Sequence, residues 1–488
     1  MPQVRILLGV FFYQRMGFRR GWSDEGKGCL DTHQFSTSSV PSLSGLFYSS
    51  SEIYLVGIIL VCSIPGFSQN RPQLLTSLPH IFFDLSPNLS PIIYFFIIMS
   101  TSNQSKRLYF RSIDGLRLFA AANIVMFHLE QIGGFYDLKG FPWFFRIVKG
   151  PAFHATMFFI LAGFIFYFLY ENKMEAFSFK RFMMARLRLL YPLHAVTSMA
   201  MIPFVIMGLD GGDVSQAGKL ACSCCVHFGL LFSLVPLGVY SLNTPSWALS
   251  AFFFCYLFFA PLMRLMGSID KRRYAAGFLV ACMIPLIVWS FVYAAIDFDK
   301  ELYLFFHVFA PVRFFEFVAG MALARVYRLN RDRRSMVYSF VNNPWVNNCM
   351  IVGLLPLLFW SLGLRGRERP LLSWMSYHVF VVPIYAALIY LFACGRGFLA
   401  WIMRLRLVRM LGKCSFYPYL LHIPLISWLC WGLDRWFGYT SFLHSPLNCF
   451  LFVLFLYGGS ALYAERFSKS RGLRNIGRTT PLSLEQRA

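Results

Sequence analysis

The chain has 488 residues, of which 57% are hydrophobic and only 14% charged, with a mean hydropathy of +0.56. A water-soluble chain of this size needs more surface charge, whereas apolar runs of about 20 residues suit a hydrocarbon layer about 30 Å thick. The net charge of +23 is spread over many short loops, without a long basic patch interleaved with aromatics, so it argues for a membrane and against nucleic-acid binding.

Residues 1–98 differ from the rest. They are rich in Ser, Pro and Gly and hold one modest apolar run, "IYLVGIILVCSI" (Ile53 to Ile64), too short for a span and too far in for a signal peptide. Met99 opens a polar, basic lead, "STSNQSKRLYF", so Met99 is the expected true start and 1–98 a doubtful extension. Residues 99–112 then form a cytoplasmic lead, 113–467 the membrane domain and 468–488 a basic cytoplasmic tail.

Apolar segments follow near 114–134, 152–171, 189–209, 219–241, 247–267, 275–296, 303–325, 347–365, 374–395, 413–434 and 446–464. Charge tests how many of them cross. If 219–241 stays on one side, the clusters Lys173–Arg188, Arg264–Arg273, Arg325–Arg334, Arg396–Lys413 and Arg466–Arg478 all share the cytoplasmic side. Asp210, Asp213, Asp297 and Asp299 then fall outside. The expected fold is an all-α transmembrane bundle of about ten spans, with 219–241 re-entrant or interfacial and both termini cytoplasmic. The two halves show no internal repeat, which lowers a transporter reading.

The first apolar segment carries two ionisable residues. Arg117 and His128 are eleven residues apart, close to three helical turns, so they share one face about 16 Å apart along the axis. With Arg117 at the cytoplasmic surface, His128 lies near the bilayer midplane, where an ionisable group usually faces protein or a water-filled cavity. Separately, the two read as a snorkelling arginine and a hydrogen-bonded core histidine. Together they suggest an anion site at the inner surface and a proton acceptor deeper in.

Other polar groups read more plainly. Arg313 and Glu316, three apart in one helix, are expected to pair with each other before serving as catalytic groups. Glu465 and Arg466 anchor the last helix, and His154, His194 and His307 have no partner visible in sequence. The group "ACSCCVHF" holds Cys222, Cys224, Cys225 and His227, but metal sites usually draw ligands from two separated pairs, so packing is expected and no metal.

"SIDGLRLFAAANIVMFH" resembles the opening of the acyltransferase 3 family, whose hallmark is a basic residue, ten intervening residues and a histidine in the first helix; Arg117 and His128 match it. "MFFILAGFIF" (Met157 to Phe166) is similar to the second helix, and "RFMMARLRLLYPLH" (Arg181 to His194) to the basic loop entering a Tyr-Pro helix. "NTPSWALS" (Asn243 to Ser250), "RFFEFVAGMALA" (Arg313 to Ala324), "CSFYPYLLHIP" (Cys414 to Pro424) and "YAERF" (Tyr463 to Phe467) follow in the family's order. Each block alone is weak; their order is specific.

Three positions depart from the pattern. Arg186 matches the first arginine of a pair spaced three apart, but Leu189 holds the second place, leaving Arg188 as a substitute about 100° around the helix. Phe252 stands where a glutamate is common, and Ala162 where a serine is usual.

The resemblance implies a multi-pass enzyme of a bacterial plasma membrane that transfers an acyl group, acetyl above all, from acyl-coenzyme A to a hydroxyl of a surface or envelope glycan or glycolipid. It implies that Arg117, Arg186 and Arg188 hold the donor's phosphates and that His128 takes the hydroxyl proton. His422 matches a recurrent family histidine, although a capped, hydrogen-bonded role is its plain reading. A transporter or flippase of a lipid-linked sugar is the competing class, and a structural membrane subunit the third.

Overall fold

Backbone amides facing hydrocarbon must find partners within their own segment, which favours helices. A computed structural model of the chain describes residues 110–133, 151–207, 214–235, 242–295, 305–364, 370–439 and 441–470, and every regular element among them is helical. The extension over 1–98, the proposed start at Met99 and the tail beyond Ser470 lie outside the described residues.

The longer helices are α1 (Arg111–Gly133), α2 (Pro151–Tyr170), α3 (Phe179–Met207) and α4 (Val214–Phe228). Next come α5 (Trp247–Leu257), α6 (Phe259–Ser268), α7 (Arg272–Ala281), α8 (Met283–Ala295) and α9 (Ala310–Asp332). The chain ends with α10 (Pro344–Gly363), α11 (Val381–Cys394), α12 (Arg406–Cys414), α13 (Phe416–Phe437) and α14 (Pro446–Ser470).

Among the described residues, eight helical stretches are long and apolar enough to cross a membrane. A ninth forms if Thr244–Leu257 and Phe259–Ser268, bent by 54° at their junction, make one span. α13 has 22 residues, but its Trp, Tyr, His and Pro content keeps it out of the eight. The expected segment at 219–241 is not one helix: α4 ends at Phe228, and a turn follows with Leu230 at φ 56°.

Two features position the interior. α2 and α9 cross with their backbones almost touching: a Cβ on Gly163 would collide with the Phe317 carbonyl, and one on Gly320 with the Ile160 carbonyl. Such small-residue contacts are how helices pack closely in lipid. They bring the start of α2 against the start of α9.

The second feature is in α13, where Pro424 has no N–H to offer the Leu420 carbonyl one turn earlier. The Asn243 side chain donates to that carbonyl instead, at 2.9 Å. The loop before α5 is thereby tied to the helix that carries His422.

The basic loops gather at one end of the bundle. Arg325 donates to Glu171 at 3.0 Å and to the Ile269 carbonyl at 2.7 Å, while Arg328 reaches Asn172 at 2.9 Å. Arg333 donates to the Asp270 carbonyl, and Arg396 to Asn342. Ser112, next to the start of α1, donates to the Phe392 carbonyl near the end of α11, which puts Arg117 at this same end.

Candidate functional site

α1 carries the two residues singled out by spacing. Near its start, Arg117 is half-buried and lies 3.7 Å from Asp114, whose carboxylate is 2% exposed and also sits 3.9 Å from Arg409. Arg409 belongs to α12, which crosses α1 so closely that a Cβ on Gly412 would strike the Asp114 carbonyl. Lys413, on the same short helix, has its ammonium pushed below the ordinary lysine value. Loss of water on packing is the largest cause; Arg409, Arg117 and Arg111 push the same way, while Asp114 opposes.

About three turns further along, His128 is half-buried beside a second imidazole. The His128 and His422 rings lie 5.1 Å apart and tilted by 34°. His422 is fully buried, and its Nδ1 is 3.1 Å from the Pro418 carbonyl oxygen. A carbonyl only accepts, so Nδ1 donates and carries the proton, leaving the lone pair on Nε2. That Nε2 has no hydrogen-bond partner among the described residues. The arrangement offers a proton acceptor next to a half-accessible imidazole.

Arg186 faces inward from α3. It is 7% exposed, lies 4.5 Å over the Phe166 ring and 5.3 Å over Phe182, and donates to the Tyr170 hydroxyl at 3.4 Å. Arg188 is exposed, about 200° around α3 from Arg186, and the two do not share a face. Phe252, in place of the family's usual glutamate, stacks on Phe159 with centroids 4.3 Å apart.

The Arg313–Glu316 pair forms as its spacing predicts, at 2.9 Å with both side chains fully buried, but it is part of a larger network. Arg313 also donates to the Thr156 hydroxyl at 2.9 Å and twice to the His307 carbonyl. Thr156 donates to Glu316 at 3.0 Å, and His378 Nδ1 lies 3.0 Å from the same carboxylate oxygen. Taking charges into the interior costs several kcal/mol per ion unless their partners are complete. Here three helical segments complete them.

His378 and Thr156 escaped the sequence reading. A histidine alone in the apolar run "SYHVF" was the available signal, since ionisable groups within spans are rare. Its turn, Ser376–Phe380, is π-helical, a form that often accompanies functional positions. His154 lies 3.4 Å from the Tyr385 hydroxyl, and His194 donates to the His227 carbonyl at 3.1 Å. His307 contributes its backbone carbonyl to Arg313. Among the described residues, no three His, Cys, Asp or Glu side chains are placed to hold a metal; Cys222 and Cys225 are exposed, while His227 stacks on Phe232 at 4.2 Å.

A family model described as an acyltransferase domain matches residues 110–464. The acyltransferase MdmB of Streptomyces mycarofaciens is 30% identical over 233 residues, covering 44% of this chain and 57% of that protein. The match thus spans little more than half of that relative's length. No solved structure matches the chain.

Proposed function

Because the chain belongs to the acyltransferase family whose domain covers residues 110–464, and is a helical membrane protein, we propose that it moves an acyl group, acetyl in the first instance, from acyl-coenzyme A to a hydroxyl of a surface or envelope glycan or glycolipid. The observation that carries this reading is the α1 axis. Arg117 at the basic end and His128 lie about 16 Å apart on this one helix, and α13 sets His422 against His128.

The donor's phosphates would meet Arg117 and Arg186 as multidentate guanidinium partners. Arg188, on the exposed face of α3, is left to meet phosphate from solution. The pantetheine arm would carry the thioester toward His128. There the imidazole takes the proton from the acceptor hydroxyl as its oxygen attacks the thioester carbonyl carbon. The tetrahedral intermediate collapses, the C–S bond breaks, and the departing thiolate receives that proton from the imidazolium. No metal enters this scheme.

The same reading puts the basic end in the cytoplasm of a bacterial cell, with ten crossings of the plasma membrane and both termini inside. The bent pair and α13 would supply the crossings beyond the eight apolar stretches. Lipid, the glycan acceptor and acyl-coenzyme A are then the partners, and nucleic acid is not one.

Inverted membrane vesicles given labelled acetyl-coenzyme A should transfer label to glycan. Arg117→Ala should raise the donor requirement by about tenfold or more while leaving the acceptor requirement nearly unchanged. Vesicles that export a lipid-linked sugar and transfer no label would favour the transporter class. Equal weakening toward both substrates would remove Arg117 from the donor site.

A further inference from the structure

α12 closes the basic stretch Arg396–Lys413, and its placement is unusual for a loop helix. Leu407 and Met410 on its outer side are exposed, as expected of a helix lying in a membrane interface. Its inner side is locked against α1 by backbone contact: Gly412 meets the Asp114 carbonyl, and a Cβ on Gly115 would strike Met403, just before α12. This rigid crossing forces like charges together. Arg409 and Arg117 both approach Asp114, Lys413 lies one turn beyond Arg409 on α12, and Arg111 lies one turn before Asp114 on α1. Asp114, 1% exposed, lies between Arg117 and Arg409. Concentrated positive charge on rigid elements opposes compact folding and attracts anions, so such an arrangement favours a polyanionic ligand.

We propose that α12 builds the outer half of the donor site: Arg409 and Lys413, backed by Arg111, bind the phosphorylated adenosine end of coenzyme A. Arg117 and Arg186 are left to the part of the donor nearer the thioester. The inference rests on the coenzyme A reading given above and adds residues and a division of labour to it.

Direct binding tests it without knowledge of the acceptor. The full chain in nanodiscs of zwitterionic lipid is titrated with coenzyme A and with 4′-phosphopantetheine, which lacks the adenosine and its phosphates. The unaltered chain should bind coenzyme A at least about tenfold more tightly than the fragment, since charge-assisted contacts to phosphate supply that much. In the Arg409→Gln/Lys413→Gln double variant, coenzyme A binding should fall to near that of the fragment, while fragment binding stays unchanged. Arg409→Lys, which keeps the charge, should retain most of the preference and guards against misfolding as the explanation.

A double variant that keeps the preference, or weakens both ligands equally, overturns the proposal while the coenzyme A reading stands. So does a preference in the unaltered chain that vanishes when anionic lipid is added, because the cluster would then belong to lipid headgroups. Failure of the unaltered chain to bind coenzyme A at all overturns both.

Discussion

In the proposed reaction His128 is the proton acceptor, and His422 is the imidazole packed beside it. His422 has its Nδ1 proton committed to the Pro418 carbonyl, so only its Nε2 lone pair remains available, fully buried beside the more accessible His128. A general base contributes about 10²–10⁴-fold to a rate, so His128→Gln should lose most of that while membrane abundance stays close to wild type. The rate of the unaltered enzyme should fall in acid as the imidazole gains a proton, and the variant should lack that limb. If His128→Gln keeps most activity, the base lies elsewhere, and His422→Gln becomes the decisive substitution. The register of Arg117 and His128 was legible because helix geometry alone sets it. Contacts between distant parts of the chain were not: Arg409 reaches Asp114 beside Arg117, and Thr156 and His378 reach the Arg313–Glu316 pair, and no local spacing records such contacts.

At the scale of elements, the breaks in helices say as much as their regular turns. Pro424 leaves the Leu420 carbonyl without its helical donor, and Asn243, 177 positions earlier, supplies one. Removing the partner of a buried carbonyl costs about 1–3 kcal/mol, so Asn243→Ala should lower the melting temperature of the purified protein measurably. Asn243→Asp should not rescue it, since an ionised carboxylate only accepts. An unchanged melting temperature in both variants would show that the bond contributes no net stability. Apolar length marked most of the long helices in advance. It could not mark the 54° bend between α5 and α6, where Pro261 has no N–H to offer the Leu257 carbonyl, or the end of α4 at Phe228, where Leu230 turns to a positive φ.

For the molecule as a whole, charge carried more information than hydropathy. Counting basic clusters suggested that they share one side. Contacts from Arg325, Arg328 and Arg333 to the turns at Glu171–Asn172 and Ile269–Asp270 bring several of those loops together at one end. With that end in the cytoplasm, a reporter fused after Arg478 should be active inside the cell and one inserted at 208–213 active outside. An external signal after Arg478 would mean that the 219–241 segment crosses.

The buried Arg313–Glu316 pair has a bearing on how the protein is made. The two residues sit three apart on one helix, so α9 carries its own counter-charge when it leaves the translocon. It can partition into lipid as a nearly neutral unit, before the residue 62 positions later that shares the carboxylate has been synthesised. Thr156 precedes this pair in the chain, and His378 is made last and completes the contacts. The order of synthesis thus matches an order of assembly in which no strong charge waits alone in the bilayer.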